Sequence, residues 1–308
     1  MSSLEKSNSN QTITPTSKIP IEFEDFDDEF NSNAGWIILL YGASGSGKTW
    51  FAGTADRSLY INAGGGIDTL RSPLFKIRYP SIKRKVVNIY ETFDQGTIKK
   101  AIGFDKVTDA LDMFLEDADL REFVRTIVID DATALRSFAK LRAVEIFDDI
   151  KGLVGTSRRQ LNRFIQQEPD DVFREMSMID WFCQQYIPIF RSEGFNFILT
   201  AHERQTFGKA AKKMDARPHE ATRPGFSGQT FPDEIPKHFD EVWYCKVKYS
   251  DKTGPYQQIK TGGGGLELTK TRRAGVFAHF EVNKSFEQLY QQRRENKIHP
   301  SFRKLVEG

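Results

Sequence analysis

Three stretches of this chain predict an α/β fold with a central, mostly parallel sheet flanked by helices. The first is the apolar run Trp36-Ile37-Ile38-Leu39-Leu40-Tyr41, which passes directly into the glycine-rich segment GASGSGKT, residues 42–49. The second is Thr126-Ile127-Val128-Ile129-Asp130-Asp131, and the third is Phe195 to Ala201, followed by His202 and Glu203. Short, continuous apolar runs are what strands covered on both faces require. Between the first two, Val107, Ala110, Leu111, Phe114 and Leu115 fall at helical spacing and form one apolar stripe over Asp105 to Asp117.

The glycine-rich segment fits G-x-x-x-x-G-K-[ST] with a buried strand before it and a short helix, near Lys48 to Ala55, after it. Its glycines let successive backbone N–H groups turn inward on an anion. The predicted nucleotide-binding set is therefore Gly42, Ala43, Ser44, Gly45, Ser46, Gly47, Lys48, Thr49 and Trp50. Lys48 reaches the β and γ phosphates in this scheme, and Thr49 places its hydroxyl on Mg²⁺. A Gly/Ser-rich turn that merely contains a lysine is the other reading, and it leaves the preceding strand unexplained. Asp130 closes the strand Thr126 to Asp130, at the edge where an open α/β sheet meets its ligands. It is expected to hold Mg²⁺ through water, opposite Thr49.

The bulk numbers exclude several classes. A chain of 308 residues suffices for one large domain or two small ones. The net charge of +2 means that a nucleic-acid surface has to come from local clustering. Cys183 and Cys245 have no C-x-x-C spacing and sit in apolar surroundings, so reduced core thiols are expected, and the histidines show no metal-binding spacing. No stretch has the length of a membrane span and the N-terminus is not of signal-peptide type, so a soluble protein of a reducing cytoplasm is expected.

In order along the chain, residues 1–34 read as a disordered polar and acidic tail. Within it, Glu22 to Phe30 alternates acidic residues with Phe23, Phe26 and Phe30. That segment suits docking on a basic groove, of a protein partner or of this chain's own DNA surface, or else covers the core as an edge strand. The main domain is placed at 35–283 and a terminal helix and tail at 284–308. Further strands are expected at 58–63 and 85–90. Residues 132–170 are expected to be helical, with their basic residues on a solvated face. Ser177 and Asp180 resemble a capping box that opens a helix kinked at Pro188 and ended by Gly194. Residues 204–238 hold no expected strand or helix. Arg204, Lys209, Lys212, Lys213, Arg217 and Arg223 make them a basic, mobile loop aimed at a phosphate backbone, or a disordered insertion. Strands at 241–247, 255–260 and 266–270 and a polar helix at 285–295 complete the chain.

The order of these parts, phosphate loop, SLYINA, TIVIDD, FNFILTAHE, basic loop and LTKTRR, resembles the RecA-type core ATPases. It is similar, more narrowly, to phage AAA-type proteins with a bare RecA core, some of which anneal single strands in recombination. The resemblance runs from Gly35 to Phe280 and implies a RecA-like P-loop core with ATP and Mg²⁺ as cofactors. It also implies single-stranded DNA as partner and a homo-oligomer with nucleotide at the subunit interface. By position His202 takes the family's γ-phosphate sensor role and passes the nucleotide state to residues 204–230; a structural hydrogen bond is its other explanation. Lys270 and Arg272, with Arg273 beside them, match the basic pair that the family presents to a neighbour's nucleotide. One departure stands out. The family's glutamate after the second strand is missing, because that stretch is Asn62-Ala63-Gly64-Gly65-Gly66. Either Asp131 or Glu203 orients the attacking water, or hydrolysis is slow. The implied activity is a DNA-dependent ATPase of recombination, annealing or replication. The alternative is a nucleotide-gated interaction protein that recruits a partner through residues 22–30. A small-molecule phosphotransferase is a third class, for which no lid or acceptor pocket is recognisable.

Overall fold

Six parallel strands carry the fold in a computed structural model that describes residues 33–90, 92–94, 97–150, 169–207, 219–228, 230–252, 254–263 and 265–302. In chain order the strands are β1 (Ile37–Gly42), β2 (Ser58–Asn62), β3 (Arg84–Asn88), β4 (Thr92–Asp94), β5 (Thr97–Lys100) and β6 (Thr126–Asp130). They continue with β7 (Asn196–Phe207), β8 (His219–Pro224), β9 (Glu241–Ser250), β10 (Gly254–Lys260), β11 (Lys270–Thr271) and β12 (Phe280–Val282). The helices are α1 (Lys48–Ala52), α2 (Asp68–Arg71), α3 (Pro73–Arg78), α4 (Gly103–Glu116), α5 (Ala118–Phe123), α6 (Ala132–Ile150), α7 (Pro169–Ser192), α8 (Phe231–Glu234) and α9 (Phe286–Glu295).

Across the large sheet the order is β12-β10-β9-β1-β7-β6-β2-β3, with β8 on β7 and β11 on β9. From β9 to β3 every neighbouring pair is parallel, and β10, β11, β12 and β8 are antiparallel additions. This is the mixed α/β arrangement expected, a mostly parallel central sheet flanked by helices, with a β-rich C-terminal part. Its consequence for the site is geometric. β7 lies between β1, which ends in the phosphate loop, and β6, which ends in Asp130, so residues on β7 can touch both.

Period-two alternation divides β1 between two cores. Ile37, Leu39 and Tyr41 face a layer containing Val107, Leu111 and Phe114 of α4 and Phe182, Cys183 and Phe190 of α7. Trp36, Ile38 and Leu40 face the opposite layer, with Phe51 of α1 and Phe286 and Leu289 of α9. There Trp36 meets Trp243 edge-on at 5.2 Å and stacks on Phe277 at 5.6 Å. Burying each such aromatic contributes roughly 1.5–3 kcal/mol. Helix α9 starts with a complete capping box from Ser285 and Gln288, which explains its sharp boundary.

Several expectations are corrected. Residues 204–238 are not without structure: β7 runs on to Phe207 and pairs with β8, and Phe231–His238 forms a short helix and a 3₁₀ turn. Polar composition misled here, because an antiparallel extension beyond the sheet edge needs no apolar run. Two of the basic residues are used internally. Arg204 donates to the carbonyls of Phe226 and Gly228, and Arg223 pairs with Asp233. Lys209, Lys212, Lys213 and Arg217 lie outside the described residues, as do 1–32, with the acidic-aromatic segment, and 151–168. Ser177 does not open a helix. It sits inside α7, its hydroxyl donating to Phe173 O, and Asp180 instead receives Lys237 and His238. The strand expected at 266–270 reduces to Lys270–Thr271, with Glu267 making an isolated bridge to Thr222. Gly194 does follow the helix end, at φ 78°. Both cysteines are buried and free, and no helix among the described residues is long and apolar enough to cross a membrane.

Glu241 is fully buried where β9 begins. Burial, with Asp240 beside it, pushes its carboxyl from 4.5 up to about 7, against hydrogen bonds from Thr271 and Trp243. The unfolded chain therefore releases this proton near pH 4.5 while the folded chain keeps it to about pH 7. Stability contributed at this position is full below pH 4.5, falls through that window, and is flat above it. Glu241→Gln is expected to gain about 2–3 kcal/mol on the natural protein between acid and pH 8. Denaturant unfolding of both proteins at the two pH values measures it.

Candidate active site

A cleft of about 540 Å³ opens at the C-terminal edge of the parallel strands, over the loop from Gly42 to Thr49. Gly47 stands at the start of α1 with φ 90°, a left-handed conformation that glycine adopts without strain. The loop is braced by two residues of the C-terminal strands. Gln257 Nε2 donates to Gly47 O at 2.8 Å, and the Cys245 thiol donates to Ser46 O at 2.9 Å. Burial pushes that thiol up to about 11, which keeps it a protonated donor.

Lys48 is almost fully buried, and its ammonium donates to the carbonyls of Gly42 and Ala43 at 2.9 and 2.8 Å. Burial lowers its pKa, with Cys245, Asp130 and Asp131 opposing the shift. A phosphate placed in the cleft would restore the lost solvation of that cation. Ser44, Gly45 and Trp50 also line the cleft. The Trp50 ring is held edge-on by Phe75 at 5.0 Å and Tyr79 at 6.1 Å, and Tyr79 and Arg78 continue the same wall.

Asp130 and Thr49 lie side by side. Thr49 Oγ1 donates to Asp130 Oδ2 at 2.8 Å across 81 positions of sequence. The same carboxylate accepts from Tyr60 Oη at 2.6 Å and from Thr200 Oγ1 at 2.5 Å. These two hydroxyls were not foreseen; the one sequence signal was a polar residue inside each buried strand. Beside them a Cβ on Gly66 would lie 2.8 Å from Asp130 Oδ2 and 3.0 Å from Thr49 Oγ1. The glycine thus leaves a small cradle lined by hard oxygens, the donor type that Mg²⁺ prefers. Among the described residues no three His, Cys, Asp or Glu side chains gather to hold a metal alone. That suits Mg²⁺, which takes one or two protein oxygens and completes its shell with phosphate and water.

Asp131 lies on the next wall. Its Oδ1 accepts from Ala134 N at 2.7 Å, fixing the start of α6, and its Oδ2 is 3.2 Å from His202 Nε2. Gly64, where the expected glutamate is missing, stands against Asp131. The N–H groups of Ala63 and Gly64 donate to Asp130 O, which brings Gly64 so close that a Cβ there would stand 2.9 Å from Asp131 Oδ2. A side chain at 64 and the Asp131 carboxylate compete for one volume. In this chain Asp131 fills it.

Glu203 does not line the cleft, because strand alternation turns it to the face opposite His202. Its carboxylate accepts from Tyr244 Oη at 2.8 Å and Gln205 Nε2 at 2.9 Å. Lys270 and Arg272 lie near the opposite edge of the sheet, since Lys270 pairs with Val242 and Thr271 with Glu241, level with the start of β1. Lys270 Nζ donates to Pro236 O and Phe239 O at 2.7 Å each, and Arg272 pairs with Asp240 at 3.0 Å.

A family model described as an AAA domain matches residues 34–146. Over that stretch the chain is similar to P-loop nucleotide-binding ATPase domains. The match takes in the phosphate loop, the glycines at 64 and 66, and both aspartates of the Asp130-Asp131 pair. No curated protein matches the chain. Among solved structures, a KaiC-like protein from the archaeon Pyrococcus horikoshii OT3 is 11% identical, with 74% of this chain and 78% of that one covered, at a TM-score of 0.32. So loose a superposition carries no weight for function.

Proposed function

We propose that this protein hydrolyses Mg-ATP in the cleft and that the nucleotide state controls binding of single-stranded DNA, as in recombination, annealing or replication. The observation that carries the first half is the convergence of Lys48, Thr49, Asp130, Asp131 and His202 on one cleft from two adjoining strands, β6 and β7, and the phosphate-loop segment. Lys48 and the loop N–H groups bind the phosphates, and Thr49 and Asp130 would hold Mg²⁺. The ion, when bound, neutralises phosphate charge. Asp131, steered by His202, orients a water molecule. The water oxygen bonds to the γ-phosphorus as the bond to the bridging oxygen breaks, its proton passes to Asp131, and ADP and phosphate result.

The second half rests on β7. That strand carries His202 in the cleft and then runs out into the hairpin with β8, where Gly225 N donates to His202 O at 2.7 Å. Tyr41, just before the phosphate loop, donates to Thr222 O of β8 at 3.1 Å. A shift at His202 therefore moves the hairpin that flanks the basic residues 209–217. In an oligomer Lys270 and Arg272 would face the neighbour's nucleotide, leaving their present carbonyl and carboxylate partners. Single-stranded DNA is expected to raise ATP turnover several-fold at low salt, with the effect fading steeply as salt rises. Phosphate release with and without DNA, beside particle sizing in a nonhydrolysable analogue, tests both halves. No stimulation and no assembly would remove DNA and the neighbour from the scheme.

One observation favours a second reading. Asp131 is already engaged by Ala134 N and His202, which suits slow hydrolysis and a nucleotide-gated protein that recruits a partner. ATP bound intact through prolonged incubation would select it.

A further inference from the structure

The Asp130 carboxylate accepts from three hydroxyls, two on separate strands and one on the phosphate-loop segment. Thr49 and Tyr60 donate to Oδ2, and Thr200 donates to Oδ1. Tyr60 and Thr200 are both fully buried, one in β2 and one in β7. A Tyr hydroxyl in the middle of an apolar core is costly without a partner, and among the described residues its acceptor is this carboxylate. Thr200 and His202 stand two apart on β7, so one face of one strand grips Asp130 with the first and Asp131 with the second. Thr49 has a different standing from the other two hydroxyls. Its oxygen is the one that the phosphate-loop motif assigns to Mg²⁺, so its bond to Asp130 is exchanged when the ion arrives. The bonds from Tyr60 and Thr200 need not break.

We propose that Tyr60 and Thr200 are positioning residues that fix the Asp130 carboxylate for Mg²⁺ and so set the affinity of the ATP-loaded protein for the ion. The proposal rests on the Mg-ATP reading of the cleft. Carboxylates at metal sites depend on their own hydrogen-bond partners for orientation, and loss of such a partner lowers metal affinity by about 10- to 100-fold. Among the described contacts Thr200 Oγ1 bonds to no residue of the phosphate loop, and Tyr60 Oη meets the loop at the Thr49 hydroxyl, which serves the ion and not the phosphates. Their removal should leave metal-free nucleotide binding alone.

The test uses Mn²⁺ in place of Mg²⁺, followed by electron paramagnetic resonance, on the full chain saturated with ATP, with ATP affinity in EDTA measured separately. Tyr60→Phe and Thr200→Val should each weaken Mn²⁺ binding about tenfold while ATP affinity in EDTA stays within about twofold. Thr200→Ser, which keeps the hydroxyl, should return Mn²⁺ affinity to that of the natural protein. If Tyr60→Phe does not fold, the Thr200→Val and Thr200→Ser pair decides. Unchanged Mn²⁺ affinity in the folded variants, or a parallel fall in metal-free ATP affinity, overturns the assignment. So does a serine variant no better than the valine. If the natural protein itself binds ATP without Mn²⁺, or neither, the Mg-ATP reading of the cleft fails, and that result is distinct from a failure of the positioning role alone.

Discussion

Asp131→Asn is expected to leave ATP bound and to slow its hydrolysis by roughly 10²–10³, the range for loss of a positioned proton acceptor. The carboxylate occupies the volume that Gly64 vacates and faces His202 at 3.2 Å. The amide keeps the size and the Oδ1 contact to Ala134 N, so the start of α6 survives while the basic oxygen is lost. The effect should fall on kcat with KM within a few-fold, because a group that acts on the water contributes little to binding ATP. Glu203→Gln is the control. That side chain lies on the other face of β7 against Tyr244, and its change should move turnover by less than about threefold if Asp131 alone serves the water. Steady-state phosphate release with an equilibrium ATP titration separates the two outcomes. Equal losses in both variants would return Glu203 to the mechanism.

Lys48→Ala is expected to weaken ATP binding about 100-fold, close to 3 kcal/mol, and to abolish turnover. Without nucleotide the ammonium is buried on the carbonyls of Gly42 and Ala43, and burial lowers its pKa. Removing a poorly solvated cation therefore costs the empty protein little. The prediction is a melting temperature without ATP close to that of the natural protein, and loss of the upward shift that saturating ATP produces by mass action. Differential scanning calorimetry at several ATP concentrations reads both numbers. A large fall in the empty state would mean that Lys48 holds the loop together more than it serves phosphate.

What could be read from sequence followed from how strictly each element is constrained. β1, β6 and the buried part of β7 announce themselves because a strand covered on both faces admits almost no polar residue. The phosphate loop does so because its glycines and lysine have fixed geometric duties. Residues whose duty depends on another strand stayed hidden. Tyr60 reads as one more core aromatic, and Thr200 as a tolerated polar residue, until β2 and β7 bring them to Asp130. Cys245 and Gln257 brace the phosphate loop from about 200 positions away, a contact set by sheet order alone. The hairpin of β7 and β8 was missed because its residues beyond Ala201 are polar and lie past the edge that apolar patterning marks. The departure at Gly64 was visible as a missing carboxylate, but its meaning was not. The close approach of residue 64 to Asp131 shows that a side chain there would crowd the carboxylate of the second aspartate.

The central claim, that Gly42–Thr49, Asp130 and Asp131 form one hydrolysing site, is tested most directly by a single turnover of ATP labelled on its γ-phosphate, with protein in excess. The natural protein is expected to convert bound ATP to ADP and free phosphate in Mg²⁺, and Asp131→Asn to hold the same amount of ATP intact over the same time. Intact ATP on both proteins, or equal conversion by both, would contradict it.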